Sequence, residues 1–218
     1  MSIDPSLLEK CRSRLINGLN AIGIQSSLTD SQYQQLLDYI QLLHKWNRAY
    51  NLTAIRDPLQ MIDKHLLDSL SVAPYINSER VIDVGTGPGL PGIPLSILYP
   101  HKRFTLLDSN GKKTRFLQQV KMEMDLQNIH IHNGRVESHQ PEELYEEVIS
   151  RAFASLQDML TWTQSICAEK GRFLAMKGQY PAEELEQLPP EYKLLESHRL
   201  DVPGTDAERH LLIITKVC

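Results

Sequence analysis

The sequence is short of cysteine, of long apolar runs and of any strong excess of one charge. Its three cysteines, Cys11, Cys167 and Cys218, lie far apart and never in C-x-x-C spacing. That argues against a disulfide framework or a cysteine zinc site and fits a reducing cytosol. No apolar stretch approaches the roughly 20 residues of a membrane span. The opening MSIDPSLLEKCRSR holds no apolar segment of signal-peptide length, so the expectation is a soluble, cytoplasmic protein with no membrane partner. The formal net charge is −4, with both signs spread along the chain. This argues against a protein that grips nucleic acid by bulk charge, whose usual footprint is a basic domain, but it leaves room for a local basic patch. Internal repeats and low-complexity segments are also absent.

What is present is a chain of 218 residues, 41% hydrophobic, enough for one main domain with a small appendage. Residues 5 to about 75 read as helices. Thr29 with Gln32 has the spacing of a capping box, and Leu36, Ile40 and Leu43 recur at helical spacing. A further helix is expected over 57–76, with Pro58 near its start and Pro74 near its end. From residue 80 the pattern changes. RVIDVG, RFTLLDS, NIHIHNG, EEVISRA, KGRFLAMKG, EYKLLESHRLDV and ERHLLIITKV read as strands. Helices are expected from about Pro91 to Leu98, over 112–126, and from the fourth strand through Ile166. Strands alternating with helices predict a parallel sheet with right-handed crossovers. The last two strands have no clear helix between them, which predicts a closing antiparallel hairpin. The expected fold class is therefore α/β: a Rossmann-like sheet of seven strands over 76–218, with an N-terminal helical extension over 1–75.

The first strand runs into VIDVGTGPGLPGIPLSI. In an open α/β sheet, ligands sit at the carboxyl ends of the strands. A dinucleotide fingerprint would place a third glycine at position 90, which is Leu90; the spacing here is G-x-G-x-G. Pro88, Pro91 and Pro94 carry no N–H, so three donors to a pyrophosphate are missing. A ligand without a phosphate fits better, and S-adenosylmethionine is one. Gly85 and Gly87 would admit its methionine part close to the backbone. Asp108, at the end of the second strand, would take the ribose hydroxyls. Asp83 would accept from the loop or from the ligand ammonium. Val136 and Glu137, after the third strand, would lie beside the adenine. Taken singly, Asp108 reads as a helix cap or turn residue; the combination carries the assignment.

The acceptor is narrowed by what is missing. Methylation of an exocyclic amine commonly uses an Asp/Asn/Ser-Pro-Pro-aromatic loop after the fourth strand, where this chain has SRAFASL. Its one Pro-Pro, in LPPEY at 188–192, lies past the fifth strand. Methylation at carbon 5 of a pyrimidine needs a cysteine nucleophile, and Cys167 reads as a small core residue. Guanine N7 carries a free lone pair and loses no proton, so transfer to it needs alignment more than a base. The missing base is consistent with N7 without singling it out.

The segments HKWNRAYNLTAIRD, KHLLDSL, IDVGTGPGLPGIPLSI, LLDS, GRVE, SRAFASL and GRFLAMKG, in order from about 44 to 178, with ERHLLII near the end, resemble the RsmG (GidB) family. Its members are bacterial small-subunit ribosomal RNA methyltransferases that make N7-methylguanine in 16S rRNA. The resemblance implies S-adenosylmethionine as donor, S-adenosylhomocysteine as product, and 16S rRNA in the 30S subunit or its precursor as partner; the sequence does not fix the oligomeric state, and a monomer is the working expectation. It implies donor contacts at Gly85, Leu90, Val136, Glu137 and Arg151. Arg151 would hold the donor carboxylate or an RNA phosphate. Asn47, Asn51 and Thr53 would lie beside the site, with turn and cap chemistry as the plainer reading. Asn47, Arg151 and Lys177 are candidates for positioning, and no acid or base is assigned. Lys112, Lys113 and Arg115 would meet rRNA phosphates. His65 and Asp68 share a helix face, read as a structural hydrogen bond. His130 and His132 lack a third ligand, so no metal is expected. The alternatives are a methyltransferase acting on another RNA or a small molecule, and a ribosome-assembly factor that binds rRNA without methylating it.

Overall fold

A computed structural model describes residues 3–24 and 28–217. Helices come first: α1 (Pro5–Ala21), α2 (Asp30–Tyr50) and α3 (Pro58–Met61). The last continues without a break as a π-helical stretch, Ile62–Leu67, and then as α4 (Asp68–Leu70). The helix expected over 57–76 therefore ends early, and residues 73–75 form a separate 3₁₀ turn. The capping box is made in full: Gln32 Oε1 accepts from the Thr29 N–H at 2.8 Å, and Thr29 Oγ1 accepts from the Gln32 N–H at 3.3 Å.

The remainder is β1 (Arg80–Val84), α5 (Gly92–Leu98), β2 (Arg103–Asp108), α6 (Gly111–Glu123), β3 (Ile129–Asn133), β4 (Tyr145–Ser150), α7 (Leu156–Thr163), β5 (Cys167–Lys177), α8 (Ala182–Glu186), β6 (Tyr192–Arg199) and β7 (His210–Lys216). One sheet has the order β3-β2-β1-β4-β5-β7-β6. The pairs among β1 to β5 are parallel, and β7 lies antiparallel to both β5 and β6, the hairpin expected from the sequence. Between β3 and β4 there is a 3₁₀ turn at 136–138 and no α-helix. One local expectation needs correction. Strand β5 begins at Cys167 rather than near 170, so Cys167 is a buried strand residue. Burial pushes its thiol up to about 12, which leaves it an inert core group.

Apolar burial sits on both faces. On one, the helices of the first 70 residues share a core with α5, α6 and the strands, through Leu15, Leu36, Ile40, Leu43, Leu67, Ile93, Phe116 and Ile149. On the other, α7 packs Leu156, Met159 and Leu160 against Ile82, Val148, Phe173 and Leu212. The helical extension is thus part of the main core, not a loosely tethered appendage. Gln32 Nε2 donates to Ile97 O at 2.7 Å and so ties α2 to α5. Successive strands are laid down outward from β1 to β3 on one side and from β4 onward on the other, and this switch point between the parallel β1 and β4 is where a ligand crevice forms.

Candidate functional site

Strand β1 ends at Val84, and the next residues turn sharply. Both the Gly85 and Thr86 N–H groups donate to Leu107 O, at 2.8 and 3.1 Å. Gly85, Gly87 and Gly89 have φ of +69°, +62° and +101°, a region that L side chains rarely adopt. A Cβ on Gly85 would meet Ala152 Cβ at 2.6 Å, whereas one on Gly87 would face open space, with only Lys113 Nζ at 3.9 Å. Gly85 lines the cleft beside the turn, whereas Gly87 is buried and does not, although a side chain at 87 would point toward Lys113, which does.

Two carboxylates brace the turn. Asp83 is fully buried, and its Oδ2 accepts from Thr86 Oγ1 at 2.6 Å and from the Gly92 N–H at 2.8 Å. Its Oδ1 is buried without a hydrogen-bond partner. Burial pushes this carboxyl up to about 6, against the pull of those two hydrogen bonds. Of the two partners expected for Asp83, the loop is the one it has. Asp108 accepts from the Gly87 N–H on Oδ2 at 2.8 Å and from the Asn110 N–H on Oδ1 at 2.8 Å. Each carboxylate oxygen has a second lone pair, which leaves Asp108 able to take hydroxyls. From the helical extension, Tyr39 Oη donates to Pro88 O at 2.9 Å. Burial holds the Tyr39 hydroxyl far above its ordinary pKa, so it stays a donor.

The cleft beside the turn has a volume of about 430 Å³, in the usual range for small-molecule sites. Val84, Gly85, Leu107, Asp108, Lys113, Val136, Glu137, Ala152, Phe153 and Trp162 line it. Gly85, Asp108, Val136 and Glu137 meet here as the sequence anticipates. Leu90 is buried within the turn and does not line the cleft. Lys113 corrects an expectation: assigned to RNA, it turns inward and sets Nζ 3.5 Å from Asp108 Oδ2. Lys112 and Arg115 are exposed, as an outward role requires.

Arg151 also departs from its expected place. Its guanidinium lines a second cavity, of about 320 Å³, rather than the cleft. There Nη1 donates to Asp68 Oδ2 at 2.8 Å, while Arg209 Nε donates to Asp68 Oδ1 at 2.7 Å. His65 and Asp68 do not bond each other as expected. His65 Nε2 lies 2.9 Å from Thr53 Oγ1, and burial, reinforced by Arg151, lowers its pKa to about 4. Lys177 holds Ala154 O at 3.0 Å and both Glu184 oxygens at 3.1 Å. Asn47 is buried; its Oδ1 accepts from the Thr53 N–H at 2.8 Å and its Nδ2 donates to Ile55 O at 3.1 Å. It shapes the loop after α2 and reaches neither cavity, and Asn51 closes that helix in the left-handed conformation. Both are corrected from site to scaffold. His130 and His132 share the far β3 edge, and no group of three potential metal ligands occurs among the described residues.

Sequence reasoning missed Tyr39, Phe153, Trp162 and Arg209. Trp162 is 44% exposed and makes an edge contact with Phe153, ring centroids 5.7 Å apart, so an aromatic wall stands at the cleft mouth. An outward tryptophan on an amphipathic helix was the one available signal. Nothing in sequence connects Arg209 to Asp68.

Sheet order, glycine turn and strand-end carboxylate together define the Rossmann-like methyltransferase class. Among solved structures, a ribosomal protein L11 methylase from Lactobacillus delbrueckii subsp. bulgaricus aligns with a TM-score of 0.56 at 14% identity, over 76% of this chain and 90% of that one. A S-adenosylmethionine-dependent methyltransferase from Thiobacillus denitrificans, in complex with S-adenosyl-L-homocysteine, aligns at 0.52 and 9% identity, over 69% and 91%. These likenesses concern the fold. The chain belongs to the GidB family, rRNA small subunit methyltransferase G, whose family model matches residues 32–212. A relative from Marinomonas sp. strain MWYL1, named ribosomal RNA small subunit methyltransferase G, is 58% identical over 88% of this chain and 92% of its own length.

Proposed function

We propose that this protein transfers a methyl group from S-adenosylmethionine to guanine N7 at one site of 16S rRNA in the small ribosomal subunit. The observation that carries the reading is the family match over 32–212, which spans every residue that lines the donor cleft. The cleft residues suit this donor. Bare backbone at Gly85 admits the methionine portion, Asp108 accepts from the ribose hydroxyls, and Val136 with the Phe153–Trp162 wall suits the flat adenine. When bound, the donor supplies an electrophilic methyl on a sulfonium.

The rest falls to alignment. Asp83 is enclosed by its own turn, so it is no base for the acceptor, and Cys11 and Cys167 are buried; Cys218 lies outside the described residues. An acceptor with a free lone pair loses no proton and needs no base, and positioning alone can supply several kcal/mol of barrier reduction. Among the described residues no helix is long and apolar enough to cross a membrane, which suits work on a ribosomal particle.

The test uses the product's chemistry. N7 methylation puts a positive charge on the base, and after borohydride reduction aniline cuts the chain there. Cells lacking the protein should lose one such cut in 16S rRNA, and the gene should restore it, whereas a Gly87→Arg version should not. A cut that persists without the protein, or a methyl group that maps to carbon 5 or an exocyclic amine, overturns the N7 assignment.

A further inference from the structure

The second cavity lies at the carboxyl ends of β4 and β5, walled by the π-helical stretch and by the start of β7. It adjoins the donor cleft through consecutive residues: Arg151 lines one and Ala152 the other. Its charge is one-sided. Lys64, Arg151, Lys177 and Arg209 line it, against the carboxylates of Asp68 and of Glu184, which holds Lys177. Asp68 is buried at 4% exposure and takes one arginine on each oxygen. A carboxylate so placed fixes both guanidinium planes; Arg209 Nη1 also donates to Glu208 O at 2.8 Å, which leaves Arg209 Nη2 and the Nε and Nη2 of Arg151 to offer a second acceptor. Among the described residues, the Lys64 ammonium donates to the neutral Gln60 Oε1 at 3.2 Å and to no carboxylate. The excess of positive charge in a volume of about 320 Å³ calls for an anion with several acceptor oxygens.

We propose that this cavity binds a phosphodiester of the RNA strand next to the target nucleotide, with Arg209 and Arg151 as its donors and Asp68 as the positioning residue that aims them. The inference rests on the RNA methyl-transfer reading and gives it an acceptor subsite. Holding the backbone at Arg151, one residue from the donor cleft, fixes where the adjoining base enters. Lys177 is tied down by Glu184 and Ala154 O, so the donors left for a ligand are Lys64 and the remaining N–H groups of Arg151 and Arg209.

The experiment compares wild type with Arg209→Gln, Arg209→Lys and Asp68→Asn. Methyl transfer from radiolabelled S-adenosylmethionine to 30S subunits prepared from cells lacking the protein gives KM and kcat. Calorimetry with S-adenosylhomocysteine reports both folding and the donor site. Arg209→Gln should raise KM for the subunit by about tenfold or more, the size of a lost charge-assisted hydrogen bond. Its Kd for S-adenosylhomocysteine should stay within about twofold. The slope of log KM against log salt should flatten by roughly 0.7–0.9, one phosphate contact. Arg209→Lys should fall between, because charge stays and the fork is lost. Asp68→Asn should raise KM with the salt slope kept, because both cations remain. An unchanged KM and salt slope in Arg209→Gln overturns the proposal. So does weaker S-adenosylhomocysteine binding with an unchanged KM, which gives the pocket to the donor carboxylate. Wild type that transfers nothing to 30S subunits overturns the functional reading, and this inference with it.

Discussion

Replacing Asp83 by asparagine should change how stability depends on pH, not merely lower it. The wild-type carboxyl is fully buried, has one oxygen without a partner, and is pushed up to about 6 by that burial. Arg151 pulls the value down and Asp108 pushes it up, both less than burial does. In the unfolded chain an aspartate titrates near 3.9. Below about pH 4 both states carry the proton. Between about 4 and 6 the unfolded chain gives it up while the folded protein keeps it, so stability falls as pH rises. Above about 6 the penalty is complete. Two units correspond to about 3 kcal/mol. Asparagine can accept from Thr86 Oγ1 and the Gly92 N–H through its carbonyl, and it has no proton to lose. Its amide nitrogen would occupy the unpartnered Oδ1 position, at a penalty of about 1–3 kcal/mol that does not vary with pH. The difference in unfolding free energy, variant minus wild type, should therefore rise by about 3 kcal/mol from pH 4 to pH 7. Urea unfolding of both proteins at pH 4, 5, 6 and 7 measures it. Parallel curves would refute the reasoning, because Asp83 would then titrate in the fold as it does in the unfolded chain.

Gly92→Ala should destabilise by about 1–3 kcal/mol in urea, because the new Cβ would lie 2.1 Å from Leu106 Cδ2 and 2.9 Å from Asp83 Oδ2 inside packed core. Tyr39→Phe should lower stability by about 1–3 kcal/mol and weaken S-adenosylhomocysteine in calorimetry, since it leaves Pro88 O in the glycine turn without its buried donor. Lys113→Ala should alter donor affinity, because that lysine faces Asp108 in the cleft, while Lys112→Ala with Arg115→Ala should raise KM for the 30S subunit and leave donor affinity unchanged; the opposite pattern would return Lys113 to the RNA surface.

The sequence by itself determined the elements that depend on neighbours along the chain. The G-x-G-x-G turn, its prolines, the capping box at Thr29 and the strand–helix alternation were legible because periodicity, caps and positive φ are local properties. Asp108 was legible for the same reason: a residue at a strand's end is placed by the strand. Val136 and Glu137, just after the third strand, were legible in the same way and line the cleft, whereas Leu90 and Arg151, which only the family resemblance added, do not. Only the tertiary structure decided where long side chains point. Lys112, Lys113 and Arg115 look alike in sequence, yet Lys113 alone turns toward a carboxylate across the cleft. Arg151 goes to Asp68, 83 positions earlier, and meets Arg209 there, 141 positions from the same aspartate. Asn47 looks like a site residue and instead binds its own loop. Such partners are set by how the helical extension packs on the sheet, and no local pattern encodes the depth or angle of that packing. The sequence therefore marks the donor turn, while the second, cationic cavity exists only once the π-helical stretch, β4, β5 and β7 have come together.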